Sequence, residues 1–191
     1  QARTNLFDAL KRQRPGAYLG LHHRLDRDTS GVIVFTKAEA ANAELADVFK
    51  NRKATKIYWA ITSPDLASQS GRRWSVQNYL GRDPDSRNKR ARYVPVKSGG
   101  DPAETEFYLL RKHPIKGTLH IEARPRTGRT HQIRTHLGIS SSLPILGDTL
   151  YGYRGPAIPR VLLHAKSIEF PFQGKAIRID APCPSDFSPF V

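Results

Sequence analysis

The chain has 191 residues, of which 38% are hydrophobic and 25% are charged. These proportions are typical of a globular protein and exclude a disordered chain, and no apolar run approaches the ~20 residues that span a bilayer. Lys and Arg outnumber Asp and Glu by 31 to 17, so the net charge of +14 favours a polyanionic partner, nucleic acid before an acidic membrane surface.

The N-terminus and the cysteine content bear on where the protein works. The first residues, QARTNLFDALKRQ, lack the apolar core of a signal peptide. The single Cys183 allows neither a disulfide nor a thiolate metal cage. We therefore expect a cytoplasmic protein. Because the sequence contains no methionine, even at position 1, we expect residues 1–191 to form one domain of a longer protein and to lack its N-terminal residues.

The first third of the chain predicts a helix, a strand, a second helix and a second strand. Residues 4–12 have the apolar periodicity of a short helix. Residues 32–35 (VIVF) are a β-branched run, typical of a short strand buried on both faces. A helix over 38–53 has an acidic first turn and a basic last turn, as the helix dipole favours. Residues 56–62 (KIYWAIT) alternate between two faces and predict the next strand.

The rest of the chain predicts a sheet with one more helix. Residues 63–103 are rich in Gly, Pro, Ser, Asp and Arg, which predicts short strands joined by long loops. A short helix over 130–138 follows, and the longer predicted strands are 104–112, 117–125, 161–170 and 175–180, the last two joined by a turn at 173–174. This pattern predicts an α+β fold, with a mixed, mainly antiparallel central sheet flanked by helices and loops.

A dense cluster of charge precedes the strand predicted at 32–35. The stretch HHRLDRDTSG (22–31) holds two histidines, two arginines and two aspartates. Asp28, directly before Thr-Ser-Gly, suits the role of shaping a turn. Asp26, between Arg24 and Arg27, would then be free to face a site, although an aspartate at its position can also cap the turn.

A metal site is an alternative interpretation of the same histidines and aspartates. Six residues could provide nitrogen or oxygen ligands: His22, His23, Asp26, His131, His136 and His164. However, His131 and His136 are five residues apart, which places them on different faces of a helix. The patterns HExxH, GxxxxGK[ST], GxGxxG and GxSxG are also absent from the sequence. We therefore expect no metal ion.

The second cluster, PRTGRTHQIRTHLG, covers residues 125–138. His131 and Arg134 share one face of the predicted helix, and Ile133 and Leu137 share another. The face with Ile133 and Leu137 would pack against the protein core, and the face with Arg134 would present its guanidinium to a site. The start of the helix, beside Arg129, is equally suited to bind a phosphate.

Several stretches, taken together and in order, resemble the RluA-type RNA pseudouridine synthases. They are HRLDRDTSG, KIYWA, TGRTHQIRTHL with PILGDTLYG, and LLHA, and the similarity runs from about residue 20 to residue 182. This family isomerises uridine in RNA, breaking the C1′–N1 bond and rejoining the base through C5. The resemblance implies a catalytic domain with its active-site cleft across the middle of the sheet.

The resemblance implies three catalytic residues. Asp26 is the catalytic carboxylate, which either adds to C1′ or removes the C2′ proton. Arg134 pairs with Asp26, and a guanidinium ~4 Å away contributes roughly 4 kcal/mol at an effective dielectric constant of 20, before desolvation. Tyr58 stacks on the target base and is a candidate for proton transfer at C5.

The resemblance also suggests substrate-binding residues. Leu163 lines the uracil pocket, and the flipped nucleotide or its phosphates would contact the side chains beside Asp26 and those of the second cluster, namely His23, Arg24, Arg129 and His131. The basic stretch 82–97, with Arg87, Lys89, Arg90 and Arg92, would contact the RNA backbone and make the affinity salt-dependent.

The family expectations extend to partners and cofactors. We expect a monomer that acts on ribosomal or transfer RNA, with no cofactor and no membrane contact. Catalytic domains of this family usually begin with an additional strand and a Lys-Pro-x-Gly segment, which the residues before HRLD do not match. We therefore expect an edge of the sheet and any N-terminal RNA-binding domain to be missing.

Two other functions stay open, a non-catalytic RNA-binding module and a metal-dependent nuclease using Asp26, Asp28 and the histidines.

Overall fold

A computed structural model of the chain describes residues 5–64, 73–85, 91–114 and 116–190. Within these residues the α-helices are α1 (Leu6–Gln13), α2 (Asn42–Lys50) and α3 (Gln132–Thr135). The strands are β1 (Gly20–Leu21), β2 (Ser30–Gly31), β3 (Phe35–Thr36), β4 (Thr55–Thr62), β5 (Arg73–Arg82), β6 (Tyr93–Pro95), β7 (Asp101–Lys112), β8 (Leu119–Pro125), β9 (Leu163–Phe172) and β10 (Lys175–Asp180).

Among the described residues the main sheet has eight strands, seven of them in the order β10-β9-β4-β8-β7-β5-β6. All neighbours along this path are antiparallel, and β2 adds a parallel pairing to β9. β1 and β3 form a separate two-stranded sheet. The predicted α+β fold with a mixed, mainly antiparallel sheet is therefore confirmed.

The register of the central strands separates two faces of the sheet. Tyr58 lies opposite Ala123 and Ala165, so these side chains share one face, which we call the front. Trp59 lies opposite Glu122 and His164 and belongs to the back. The front carries the cleft described below.

Two packed segments cover the front and leave space between them. α2 buries Leu45 and Val48 against Ile168 and Phe170 of β9. At the other end of the sheet, α3 and the chain that follows it bury a larger apolar cluster, which includes Phe107, Ile121, Ile133, Leu137 and Leu146. Burial of these apolar side chains is the main stabilising contribution to the fold.

Three predicted elements differ from the structure. Residues 32–34 are not a strand, because they link β2 and β3, two-residue strands that lie in different sheets. Val32, Ile33 and Val34 are only partly buried. The helix predicted over 38–53 begins as a 3₁₀ turn at Glu39–Ala41 and ends at Lys50. Residues 130–138 form only the short α3, which continues as a π-helical turn over His136–Ser140.

The middle of the chain was also predicted incorrectly, because it contains the ten-residue strand β5 rather than only short strands. The other predicted strands and the turn at Gln173-Gly174 are confirmed, with both turn residues at positive φ. In the described part of the chain, no helix is both long enough and apolar enough to cross a membrane.

Candidate active site

The loop that carries Asp26 is fixed by its own backbone and by β9. The Thr29 N–H donates to the Asp26 carbonyl at 3.0 Å, which closes a turn over 26–29. Gly31 has φ +114°, and a Cβ there would collide with the Ala165 carbonyl of β9, so only glycine fits. The predicted turn-shaping role of Asp28 is not seen, because its exposed carboxylate makes no hydrogen bond to any described residue. The turn therefore depends on the backbone and on Gly31.

Arg134 links two carboxylates at the bottom of the cleft. Its Nη1 lies 3.5 Å from Asp26 Oδ2. On its other side, Nε and Nη2 donate to the two oxygens of Asp148 at 2.7 and 2.9 Å, a bidentate pair. The Asp148 side chain is only 1% exposed, whereas that of Asp26 is 18% exposed. Asp148 thus holds the guanidinium in place, and Asp26 is the carboxylate of the trio that faces the open cleft.

The segment that carries Arg134 is held against β7 by buried polar side chains. The Gln132 amide accepts from the Thr127 hydroxyl at 2.6 Å and from the Arg129 N–H, and it donates to Glu104 O and the Thr105 hydroxyl. His136 is fully buried, with its two ring nitrogens bonded to Thr105 and Asn78, and burial lowers its pKa to about 4. These bonds give a four-residue helix a fixed position.

Tyr151 connects His131 to Arg134. Its hydroxyl lies 2.9 Å from His131 Nδ1 and accepts from the Tyr93 N–H at 2.9 Å. The Arg134 guanidinium lies over its ring, 5.0 Å from the centroid. His131 adopts a left-handed backbone conformation (φ 56°), and burial lowers the pKa of its ring. His131 and Arg134 therefore both line the cleft, as predicted, although His131 precedes the helix.

Tyr58 and Leu163 line the same cleft from adjacent strands of the front face. Burial, and secondarily the Asp26 carboxylate, raise the pKa of Tyr58 to about 12. The phenol therefore stays protonated at neutral pH and can donate a hydrogen bond. Leu163 is buried and presents an apolar surface beside it.

The other predicted binding residues fall into different environments. His23 accepts from the Val34 N–H and stacks on Phe49, and burial followed by the Lys56 and His22 charges lowers its pKa to about 4. Its ring lines the cleft as a neutral group. Arg24 is exposed at the cleft. Arg129 lines it too, but its guanidinium contacts Pro102 O and Asp101. Arg90, with Arg87 and Lys89, lies outside the described residues.

The cleft has a volume of about 710 Å³ and a strongly cationic lining. Among its described lining residues Asp26 is the one carboxylate, and it faces seven cationic side chains, Arg24, Lys50, Arg52, Lys56, Arg126, Arg129 and Arg134. Such a lining attracts a polyanion and concentrates it at the single carboxylate.

Of the six residues considered as metal ligands, His22, His23, Asp26 and His131 line the cleft, whereas His136 and His164 do not. His136 bonds Thr105 and Asn78, and His164 lies on the back face, bonded to Ser30. In the described residues, no group of three or more His, Cys, Asp or Glu side chains is arranged to hold a metal ion.

Three residues that line or support the site were not identified from the sequence: Asp148, Tyr151 and Lys56. Asp148 and Tyr151 lie in PILGDTLYG, where one acid stands in a largely apolar stretch. A lone acid in such a stretch indicates a buried ion pair, and this signal could have identified Asp148. Lys56 precedes Tyr58 by two positions in a strand, which places both side chains on one face.

The fold and the cleft together define a class of protein: an α+β domain with one carboxylate–guanidinium site in a cationic cleft. The sequence model of the family described as RNA pseudouridylate synthase matches residues 2–138. The chain belongs to this family, and the resemblance to its RluA type is confirmed.

Curated relatives and a solved structure agree with this membership. The chain is 35% identical over 166 residues to "Uncharacterized RNA pseudouridine synthase YhcT" of Bacillus subtilis, covering 86% of the chain and 52% of that protein. It is 35% identical over 186 residues to "Ribosomal large subunit pseudouridine synthase C" of Vibrio cholerae, covering 92% and 56%.

The solved structure of "Human RNA Pseudouridylate Synthase Domain Containing 1" superposes with a TM-score of 0.80 at 25% identity, covering 96% of this chain and 76% of that one. The chain thus spans about half the length of the curated relatives that it matches.

Proposed function

We propose that this chain is the catalytic domain of an RNA pseudouridine synthase, with Asp26 as the catalytic carboxylate. The observation that carries the proposal is the position of Asp26, the one carboxylate among the described residues of a cationic cleft, 3.5 Å from an arginine that Asp148 holds in place. A carboxylate held in this way can act on C1′ or on the C2′ proton of a ribose.

The surrounding residues orient the substrate, and Tyr58 is also the candidate for proton transfer at C5. The Tyr58 ring would stack on the uracil, with Leu163 beside it, while the C1′–N1 bond breaks and a C1′–C5 bond forms. C5 then loses its proton and N1 gains one, so the reaction is an isomerisation. A uridine in structured RNA must first be unstacked and flipped, which costs a few kcal/mol. Arg24 and His131, at the cleft, are suited to contact the flipped nucleotide. His23, which is neutral, and Arg129, which is already paired, would contribute shape more than charge.

The substrate proposal is RNA, and ribosomal RNA is favoured over transfer RNA because relatives of similar sequence are named as ribosomal large subunit enzymes. The net charge of +14 supports an RNA partner. The expectations of a monomer, of a cytoplasmic location and of one catalytic domain stay predictions.

The test is to map pseudouridines in total RNA from cells that lack this protein and are complemented with wild type, Asp26→Asn or Asp28→Asn. Asp28 is the matched control, because it belongs to the same turn but its carboxylate is exposed and forms no hydrogen bond or ion pair with any described residue. We expect wild type and Asp28→Asn to restore the same modified site, and Asp26→Asn to restore none while still binding RNA. Modification by Asp26→Asn would contradict the assignment.

A further inference from the structure

The cations of the cleft differ in whether they already have an anionic partner. Arg134 is paired with Asp148 and Asp26, Arg126 with Glu106, and Arg129 with Asp101. The remaining four, Arg24, Lys50, Arg52 and Lys56, form no ion pair with any described residue. They are available for the charges of a ligand.

Lys56 differs from the other three because it is not exposed. Its side chain is partly buried on the front of β4, while Arg24, Lys50 and Arg52 are on the surface. Burial, and then the Arg52 charge, lower the pKa of the Lys56 ammonium. A cation that is desolvated and next to another cation is destabilising in the free protein. Such a group is characteristic of a site whose counter-charge arrives with the ligand.

The position of Lys56 relates it directly to the proposed target base. Lys56 and Tyr58 are two residues apart on the same face of β4, so their Cα atoms are separated by ~7 Å. The ammonium lies close to Gly128 of the turn before α3, where even a Cβ would come within 3.6 Å of Nζ. Because Gly128 has no side chain, no side-chain atom from this position covers the ammonium. Arg52, just after α2, stands on the same wall of the cleft.

We propose that Lys56, assisted by Arg52, binds a backbone phosphate of the RNA strand immediately next to the nucleotide held at Asp26 and Tyr58. This inference rests on the proposed function and adds to it a phosphate subsite on the α2–β4 wall. A phosphate oxygen satisfies the ammonium, and the adjacent guanidinium adds a second cation. The strand is thereby held at a second point, beside the nucleotide at Asp26 and Tyr58.

The test measures binding of the pentaribonucleotide AAUAA, whose single uridine fixes the register, to protein carrying Asp26→Asn so that turnover does not interfere. Four further probes each replace one phosphate by an uncharged methylphosphonate. We expect Lys56→Gln to weaken binding of the all-phosphate strand about tenfold. The slope of log K against log salt should fall by about 0.7, the value for one phosphate contact to a single strand.

The decisive result is whether the affinity lost in Lys56→Gln depends on which linkage of the probe is uncharged. With the methylphosphonate at one of the two linkages that flank the uridine, Lys56→Gln should cause no further loss, while at the outer linkages the tenfold loss should remain. Lys56→Arg, which keeps the charge, should retain the coupling. Lys175→Gln, an exposed lysine on β10, should bind all five probes as the parent does.

Three results would overturn the proposal: no salt-dependent binding of the pentamer by the parent protein, an equal loss for Lys56→Gln with all five probes, or no loss with any. If Lys56→Gln does not fold, Arg52→Gln at the surface decides the matter: its loss must disappear when the methylphosphonate stands at one of the two linkages that flank the uridine, and remain at the outer linkages. Failure of the wild type to form pseudouridine would refute the proposed function alone, because binding at the phosphate subsite is measured without turnover.

Discussion

At the scale of single residues, the site depends on how Arg134 divides its donors between two aspartates. Asp148 takes Nε and Nη2 in short, buried hydrogen bonds, and Asp26 receives only Nη1 at 3.5 Å. The strongest interaction of Arg134 is therefore with a residue that does not face the cleft. We infer that Asp148 is a positioning residue, which fixes the guanidinium so that it can orient the Asp26 carboxylate.

Asp148→Asn tests this role. Asparagine keeps the shape but removes the charge that faces a buried guanidinium, so we expect the free energy of unfolding to fall by about 2–3 kcal/mol. Under conditions where the variant is folded, kcat for pseudouridine formation should fall at least tenfold, while KM for RNA changes little. The measurements are urea denaturation and steady-state kinetics.

The control for Asp148→Asn is Asp101→Asn, because Asp101 also pairs with an arginine of the cleft but is 67% exposed. Exposed ion pairs contribute little, so we expect both stability and kcat to stay close to wild type. An Asp148→Asn protein that is folded and turns over at the wild-type rate would show that Asp26 does not need an anchored Arg134.

At the scale of elements, the C-terminal segment completes the back of the sheet. Phe187, in the 3₁₀ turn over Ser185–Phe190, is fully buried against His120 and His164. Arg160 anchors the segment by two hydrogen bonds to Asp186, and it also donates to the carbonyls of Val161 and Leu163 at the start of β9. The segment thus supports the strand that carries Leu163 and pairs with the Asp26 loop.

Phe187→Ala should therefore be costly. Removal of a fully buried phenylalanine typically costs 3–5 kcal/mol, from lost burial and the cavity left behind, so we expect a loss of about 3 kcal/mol or more in urea denaturation. The matched control is Phe190→Ala in the same segment, because Phe190 is only partly buried and should cost less than half as much. Equal losses for the two variants would show that Phe187 does not anchor the segment.

The elements also show what could be predicted from the sequence. β4, β7, β8, β9 and β10 carry alternating apolar residues, and their positions were predicted to within a few residues. β5 was missed because its alternating pattern lies in a stretch dominated by Gly, Pro and Arg, although it pairs with β7 along most of its length. The helix predicted over 130–138 lies over residues 132–140, and its change from α to π geometry at His136–Ser140 was not predicted, because that geometry depends on tertiary contacts that periodicity does not record.

The site was only partly predictable for a similar physical reason. Asp26, Tyr58 and Arg134 stand in motifs that a resemblance can identify, and the structure brings all three to one cleft. The lone acid in PILGDTLYG could have marked Asp148 as a member of a buried ion pair, but not Arg134 as its partner. The partial burial of Lys56 beside Gly128 likewise depends on a contact between residues distant in the chain, which a sequence alone does not give. The two-residue strands β2 and β3 likewise exist only because β9 and β1 are present to pair with them.

At the scale of the whole molecule, buried histidines make the stability of the fold depend on pH. Burial lowers the pKa of His23, His120 and His136 to about 4, against 6.5 for an exposed histidine. Between pH 6.5 and pH 4 the unfolded chain therefore binds protons that the folded protein does not bind. Stability contributed by these neutral rings is fully present above pH 6.5 and is lost as the pH falls towards 4.

His136→Gln gives this pH dependence a quantitative test, because His136 is fully buried and both of its ring nitrogens are hydrogen-bonded. A single such histidine contributes up to about 1.4 kcal/mol per pH unit to the slope of unfolding free energy against pH. In urea denaturation at several values between pH 4.5 and 6.5, the variant should be less stable than wild type at pH 6.5 and lose up to that much of the wild-type slope, so that its deficit shrinks as the pH falls. Gln77→Ala, on the exposed side of β5, removes no proton-binding group and should keep the slope. An unchanged slope of unfolding free energy against pH in His136→Gln would contradict the prediction. It would mean that His136 binds its proton equally well in the folded and the unfolded chain, which is incompatible with its burial among neutral hydrogen-bond partners.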